Sequence, residues 1–476
     1  MVEYIIDKHT GETFRTDDHQ HEAYVHLLDN ERAMLFLGMS MSKTVVALTY
    51  LQDMIHWQFA MERALVIAPP NVATITWPDE ANKWQHLEGL RMSYVLGNPE
   101  ERLAALSTPA DVYVISVSNI VWLCNLLQHK WPFDCVLIDE IDFFKGRDSG
   151  RFKTLRKYIA HSRYRIGMTG TPQPAELYDL WSQFALIDDG ARLFNTWGAF
   201  ADKYLHKKIV GGMHIKYVPL PGAEKVIYHK ISDITLSKIT KEHVKLPPLH
   251  VIDEVLHFDD YDAEVYNSLE RESVLQYLGA AQQGVVTVKT ASDMSNKLLQ
   301  LSGGAVYDDE TIIEDRRKWH IVNEVKMSKI KALRASLSNE NIILVYWYQH
   351  ELERLKMAFP DARVMRKGAK AREDFEDWNA GRIPVLLIHP ASTSHGLNLQ
   401  WGGRRMIWYT CTWRLGIYLQ TIARIWRRGV DKDVFIHRLI VKGTRDEKVS
   451  ARLDSRESDQ DFLLSEVKRL RKKYKL

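Results

Sequence analysis

The stretch that decides the fold is "LFLGMSMSKTVVALTYL", Leu35 to Leu51. An apolar run, a short turn of small residues, and Lys43-Thr44 ahead of a second apolar run predict a strand, a tight turn and a helix. In that arrangement backbone N–H groups and a helix N-terminus face an anion, a lysine caps outer phosphates and a threonine hydroxyl ligates magnesium. Two positions where such turns usually carry glycine hold Ser40 and Ser42. Glycine is favoured there because it tolerates positive φ and lets the backbone approach a phosphate. Taken alone, the stretch reads better as a surface loop capped by Ser42.

The chain around it has 476 residues, 45% hydrophobic and 26% charged. That composition is globular, and the length predicts two or three domains. A net charge of +3 is too mild to imply a polyanionic partner in bulk, so any nucleic-acid surface is a local patch. Three widely spaced cysteines, Cys124, Cys135 and Cys411, argue against a disulfide framework or a cysteine zinc site. The start, "MVEYIIDKHTGETFR", lacks the basic-then-apolar pattern of a signal peptide, and no apolar run reaches the ~18–20 residues that span a bilayer. The expectation is a soluble, intracellular protein with no membrane partner, and a monomer by default.

In the first half, "ALVIAPP" (64–70), "DVYVISVS" (111–118), "CVLIDE" (135–140) and "YRIGMTG" (164–170) read as strands, continuous in apolar character as strands buried on both faces are. Helical patterns such as "HEAYVHLL" and "ITWPDEANKW" lie between them, which predicts a parallel sheet. "KKIVGGMHIKYVPLPG" predicts a hairpin, and residues 253–305 look mainly helical. A second alternating block runs through "NIILVYWY" (341–348), "ARVMR", "PVLLIHPAS", "RRMIWYT" and "DVFIHRLIV" (433–441).

Further motifs change the weight of the opening stretch. "LIDEID" (137–142) ends an apolar strand with two carboxylates: Asp139 is suited to hold magnesium through water and Glu140 to polarise an attacking water. "MTGTP" (168–172) closes another apolar run on small hydroxyl residues. "QTIARIWRRG" (420–429) spaces Arg424 and Arg427 three apart, on one face of a predicted helix. Each motif has a bland alternative, a charged turn or a solvated face; their order on two predicted sheets does not.

In that order these motifs resemble the superfamily 2 helicase-like ATPases, most closely the Snf2 family of DNA translocases, over nearly the whole chain. "DHQHEAYVHLL", "LGMSMSKT", "VIAPPNVATITWPDEANKW" with Trp77 and Trp84, "VISVSNI", "DEID", "TGTP", "ELYDLWSQFALIDDG", "SNKLLQLSGGAVY", "ASTSHGLNLQ" and "TWRLGIYLQTIARIWRRG" carry the resemblance. It implies an α/β fold of two RecA-like parallel-sheet lobes with helical insertions and an ATP cleft between them. The lobes would span residues 1–228 and 316–476, joined by a largely helical segment, 229–315. It implies ATP and Mg2+ as cofactors. Gln20, Gly38, Met39, Ser40, Met41, Ser42, Lys43, Thr44, Asp139, Gly396, Arg424 and Arg427 would hold them, with Thr44 and Asp139 on the metal. Lys43, Asp139, Glu140, Arg424 and Arg427 would be catalytic; Thr169, Gly170, Thr171 and Gln420 would couple hydrolysis to movement. Phosphates of DNA, double-stranded by this resemblance, would meet Pro70, Asn71, Ser116, Ser118, Asn119, Lys145, Thr393, Ser394, His395 and Trp413.

The departures are Ser40 and Ser42, DEID where DEAH-like forms are common, and Ala423 and Val430 in the last motif. Serine keeps the phosphate turn at a cost of about 1 kcal/mol. With the lysine, acids and arginines all present, the sequence reads as a working ATPase. The leading function is an ATP-driven, DNA-stimulated motor on duplex DNA that remodels protein–DNA complexes or branched DNA. The alternatives are a strand-separating DNA or RNA helicase of the same superfamily, and a nucleotide-gated DNA-binding protein with impaired hydrolysis. The short chain and loose phosphate turn resemble bacterial or bacteriophage forms, which places the protein in bacterial or phage-infected cytoplasm, with nucleoid association open. At the C-terminus "DFLLSEVKRLRKKYKL" predicts a basic amphipathic helix, either docked with a solvated face or an auxiliary phosphate contact.

Overall fold

The computed structural model describes residues 3–38, 41–170, 177–210, 214–238, 246–282, 288–313, 316–366, 370–390, 398–427, 429–430 and 432–455. The chain divides into two compact units, the first built mainly on Met1–Lys207 and Tyr217–Lys245, the second on Leu246–Ser394 and Asn398–Leu476.

The first unit opens with a hairpin of β1 (Tyr4–Ile6) and β2 (Thr13–Arg15). It continues with β3 (Arg32–Leu37), β4 (Ala64–Ala68), β5 (Met92–Val95), β6 (Val112–Ser116), β7 (Cys135–Asp139) and β8 (Tyr164–Thr169). The predicted hairpin follows as β9 (Leu205–Val210) and β10 (His214–Pro219), of which Lys208–Lys216 group with the second unit, and then β11 (Thr235–Lys238) in the first. The seven-stranded sheet runs β11-β3-β8-β7-β4-β6-β5, and every neighbouring pair is parallel. Parallel neighbours need long crossovers, which the intervening helices supply. Strands β4, β6, β7 and β8 are buried at every position, which explains their unbroken apolar runs. Met34, Leu65, Ile67, Ile115, Ile138 and Phe184 share one core cluster; burying each such side chain contributes roughly 1.5–3 kcal/mol.

The second unit contains β12 (Leu249–Leu256), a hairpin of β13 (Ala305–Ile313) and β14 (Arg316–Ile321), then β15 (Ile342–Val345), β16 (Arg363–Val364), β17 (Val385–Ile388), β18 (Arg405–Trp408) and β19 (Val434–Val441). Its six-stranded sheet, β12-β19-β18-β15-β17-β16, is also parallel throughout. The helices Asp260–Gln282 and Val288–Ser302 supply the helical content expected near 253–305. The stretch read as a connecting segment, 229–315, also gives an edge strand to each sheet: β11 to the first and β12 to the second. Arg438 on β19 grips β12 through Asp253 (Nε–Oδ1 2.6 Å) and the final described helix through Asp454 (3.0 Å). Among the described residues no helix is long and apolar enough to cross a membrane.

Candidate nucleotide site

The order of the first sheet sets β3, β8 and β7 side by side, all pointing the same way. Their carboxyl ends therefore share one edge, the place where α/β sheets bind ligands. At the end of β3 the chain turns into the helix Lys43–Gln52. Ser42, its N-cap, lies at φ 55°, ψ 39°, the left-handed conformation anticipated for a glycine. No side-chain hydrogen bond from Ser42 caps the helix, so the serine carries the backbone strain without a capping gain. We expect Ser42→Gly to stabilise the protein by about 0.5–1 kcal/mol, read as a rise in the thermal midpoint.

Lys43 folds back so that its Nζ donates to the Leu37 carbonyl oxygen at 3.1 Å. Asp139, the last residue of β7, is only 7% exposed. Burial, and then the negative charge of Glu140, push its carboxyl up to about 6; Lys43, the Trp77 indole and the Glu140 backbone oppose them. A carboxylate this poorly hydrated gains more from a nearby cation than an exposed one does. Glu140 sits at φ 55°, and its Oε2 accepts from Thr169 Oγ1 and Gly170 N at the end of β8, both at 3.4 Å. Lysine, acid pair and hydroxyl thus come from three neighbouring strand ends. A hard oxygen donor beside a lysine fits a magnesium–triphosphate, in which magnesium takes one or two carboxylates plus phosphate oxygens.

Other expected residues are distributed differently. Gln20 is buried, and its Oε1 accepts the Asp17 N–H at 2.8 Å, so its carbonyl closes the start of helix Asp18–Asp29. Gly38, Met41 and Thr44 lie on the turn and the first helical turn, with Met41 fully buried. Met39, Ser40, Thr171, Thr393, Ser394, His395, Gly396 and the C-terminal basic stretch lie outside the described residues. Pro70 and Asn71 follow β4, Ser116 ends β6, Ser118 and Asn119 lie on the turn Val117–Asn119 after it, and Lys145 follows β7, all on the carboxyl side of the first sheet. Of these, Pro70, Ser118 and Lys145 are exposed, whereas Ser116 is buried and its Oγ accepts the Ser118 N–H at 3.3 Å. Trp413 is 7% exposed, with Arg414 5.3 Å from its ring, so the ring is packed inside rather than offered to a ligand.

The expected helical face of Arg424 and Arg427 is corrected by the structure. The helix Leu415–Ile422 stops at its cap Ala423, before both arginines. Arg424 turns back, Nε donating to the Gln420 carbonyl at 3.1 Å, and the Trp426 indole donates to the Pro247 carbonyl at 2.8 Å. Arg424 is buried and Arg427 half-buried. The residue that the sequence reading left without a role is Trp77. It is fully buried, and its Nε1–H donates to Asp139 Oδ2 at 3.1 Å.

Two parallel sheets, the first ending in a lysine-bearing turn beside an Asp-Glu pair, are the architecture of the helicase-like α/β proteins. Within that class the chain belongs to the SNF2-related domain family, whose model matches residues 19–302. Protein p41 of Acyrthosiphon pisum secondary endosymbiont phage 1 is 34% identical, over 96% of this chain and 99% of its own length. The DNA repair and recombination protein RAD54-like of Gallus gallus is 22% identical, over 87% of this chain; the chain spans only 61% of that relative. Among solved structures, the Sulfolobus solfataricus SWI2/SNF2 ATPase core in complex with dsDNA aligns with 99% of this chain and 98% of its own at 18% identity and a TM-score of 0.44, a likeness too loose to carry an argument.

Proposed function

We propose that the protein is a DNA-stimulated ATP hydrolase, a Snf2-type motor that moves on double-stranded DNA and remodels protein–DNA complexes or branched DNA. The observation that supports this most is the meeting of Lys43, Asp139, Glu140 and Thr169 at one edge of a parallel sheet in a chain of this family. Bound ATP would supply the transferable phosphoryl group, and a magnesium ion held by Asp139 and Thr44 would neutralise charge on it. Lys43 exchanges the Leu37 carbonyl for phosphate oxygens. Asp139 and Thr44 orient the metal, and Glu140 orients the attacking water and takes its proton. Arg424 and Arg427 supply positive charge as the phosphate group is transferred. Pro70, Asn71, Ser116, Ser118, Asn119 and Lys145 meet DNA phosphates; such contacts position a duplex without reading bases.

The deciding experiment measures ATP hydrolysis with no nucleic acid, single-stranded DNA, duplex DNA, forks and RNA. Duplex DNA is expected to stimulate most, and Lys43→Ala to lower the stimulated rate about 10²–10³-fold, as loss of one charge-stabilising donor does. Equal rates with and without duplex, matched by Lys43→Ala, would sink the motor reading in favour of a nucleotide-gated DNA-binding protein. Fork unwinding without displacement of a triplex strand would favour the strand-separating helicase.

A further inference from the structure

We infer that Trp77 is a positioning residue for the divalent cation, acting through Asp139; this rests on the nucleotide-site reading above. The sheet order explains how an indole reaches a carboxylate 62 residues away in sequence. Strands β4 and β7 are parallel neighbours, with Ile67 opposite Ile138, so both strand ends lie at the same edge. After β4 the chain passes Pro69 and Pro70 and a helical turn, Val72–Thr76, and re-enters the interior as Trp77, the first residue of helix Trp77–Lys83. The ring is fully buried, and its single polar atom is satisfied by Asp139 Oδ2 at 3.1 Å.

An indole nitrogen only donates, so it neither coordinates a cation nor exchanges a proton with substrate. What it does is fix one oxygen. With Oδ2 tied to Trp77, the Asp139 side chain has one orientation, and Oδ1 is the oxygen left to face a cation or its bound water. Carboxylates that ligate metals are commonly held this way, and losing such an outer partner typically costs 10–100-fold in metal affinity. A buried indole N–H needs an acceptor of some kind; here that acceptor is the carboxylate at the end of β7, not a backbone carbonyl.

The test uses the full chain and binding of a fluorescent ADP analogue, titrated with Mg2+ and repeated in EDTA. Trp77→Phe keeps an aromatic ring and removes the N–H; Trp77→His keeps a ring N–H. The expected result is a 10–100-fold higher Mg2+ half-saturation for Trp77→Phe, unchanged nucleotide affinity in EDTA, and a Mg2+ half-saturation within a few-fold of wild type for Trp77→His. A folded Trp77→Phe with wild-type Mg2+ dependence overturns the inference, as does an equal shift in both variants. If the phenylalanine variant does not fold, Trp77→His decides: a tenfold rise in its Mg2+ half-saturation overturns the assignment. Wild type without Mg2+-dependent nucleotide binding would instead remove the nucleotide site itself. Magnesium-dependent binding in wild type with no effect of Trp77 would remove this inference alone.

Discussion

Replacing Glu140 with glutamine is expected to lower the duplex-stimulated rate of ATP hydrolysis about 10²–10⁴-fold, the usual contribution of a general base, while magnesium-dependent nucleotide binding persists. The amide has the size of the carboxylate, and its oxygen still accepts from Thr169 Oγ1 and Gly170 N, as Glu140 Oε2 does at 3.4 Å. What it loses is the capacity to take a proton from water. Binding is expected to survive for an electrostatic reason. The charge of Glu140 is the second cause, after burial, that raises the Asp139 carboxyl to about 6. Removing that charge favours ionised Asp139 and so favours a cation. Phosphate release under saturating duplex measures the rate, and an ADP-analogue titration with Mg2+ measures binding. Near wild-type hydrolysis in Glu140→Gln would place water activation on another group; loss of binding and rate together would make Glu140 a binding residue.

The parts of this site that were legible in the sequence are those set by periodicity and strand ends. Strands β4, β7 and β8 are buried at every position, so their apolar runs were unbroken and their polar terminators, Asp139-Glu140 and Thr169-Gly170, stood out. The left-handed turn at Ser42 was legible as a position that wants glycine. Edge strands were harder. Neither β12 nor β11 has a buried residue, and Val251 and Val255 of β12 are exposed; neither presents the continuous apolar run of an interior strand. The helical face expected for Arg424 and Arg427 was missed for a different reason. A three-residue spacing fits a helix, but Arg424 and Trp426 each spend a side-chain donor on a backbone carbonyl, one of them on Pro247 far away in sequence. The Trp77–Asp139 bond is invisible to local pattern for the same reason. The only signal for it was a tryptophan in an apolar segment, whose N–H must find a partner when buried.

The second large effect is expected in the second lobe, where Lys326→Met should destabilise its fold by about 3–5 kcal/mol, the cost of leaving a buried charge uncompensated. Lys326 is fully buried on helix Val325–Ser336, and its Nζ lies 2.8 Å from Asp446 Oδ2, itself 3% exposed, and 3.4 Å from Thr410 Oγ1. Asp446 also accepts from Ser302 Oγ at 3.0 Å and from the Val441 N–H at 3.2 Å. One ion pair therefore ties together the helix ending at Ser302, strand β19 and helix Arg445–Ser455. Both partners are closely enclosed, Lys326 at 0% exposure and Asp446 at 3%. Such an environment leaves little room for water to take over the role of Lys326. The loss is thus a charge effect more than a packing effect, since methionine nearly fills the lysine stem. This separates two outcomes in urea unfolding of the full chain. If the charge dominates, adding Asp446→Asn to Lys326→Met recovers part of the lost stability, with a coupling of about 0.5–3 kcal/mol. If packing dominates, the two losses add. The transition belonging to the first sheet should stay in place in every variant, because none of these side chains is part of its core.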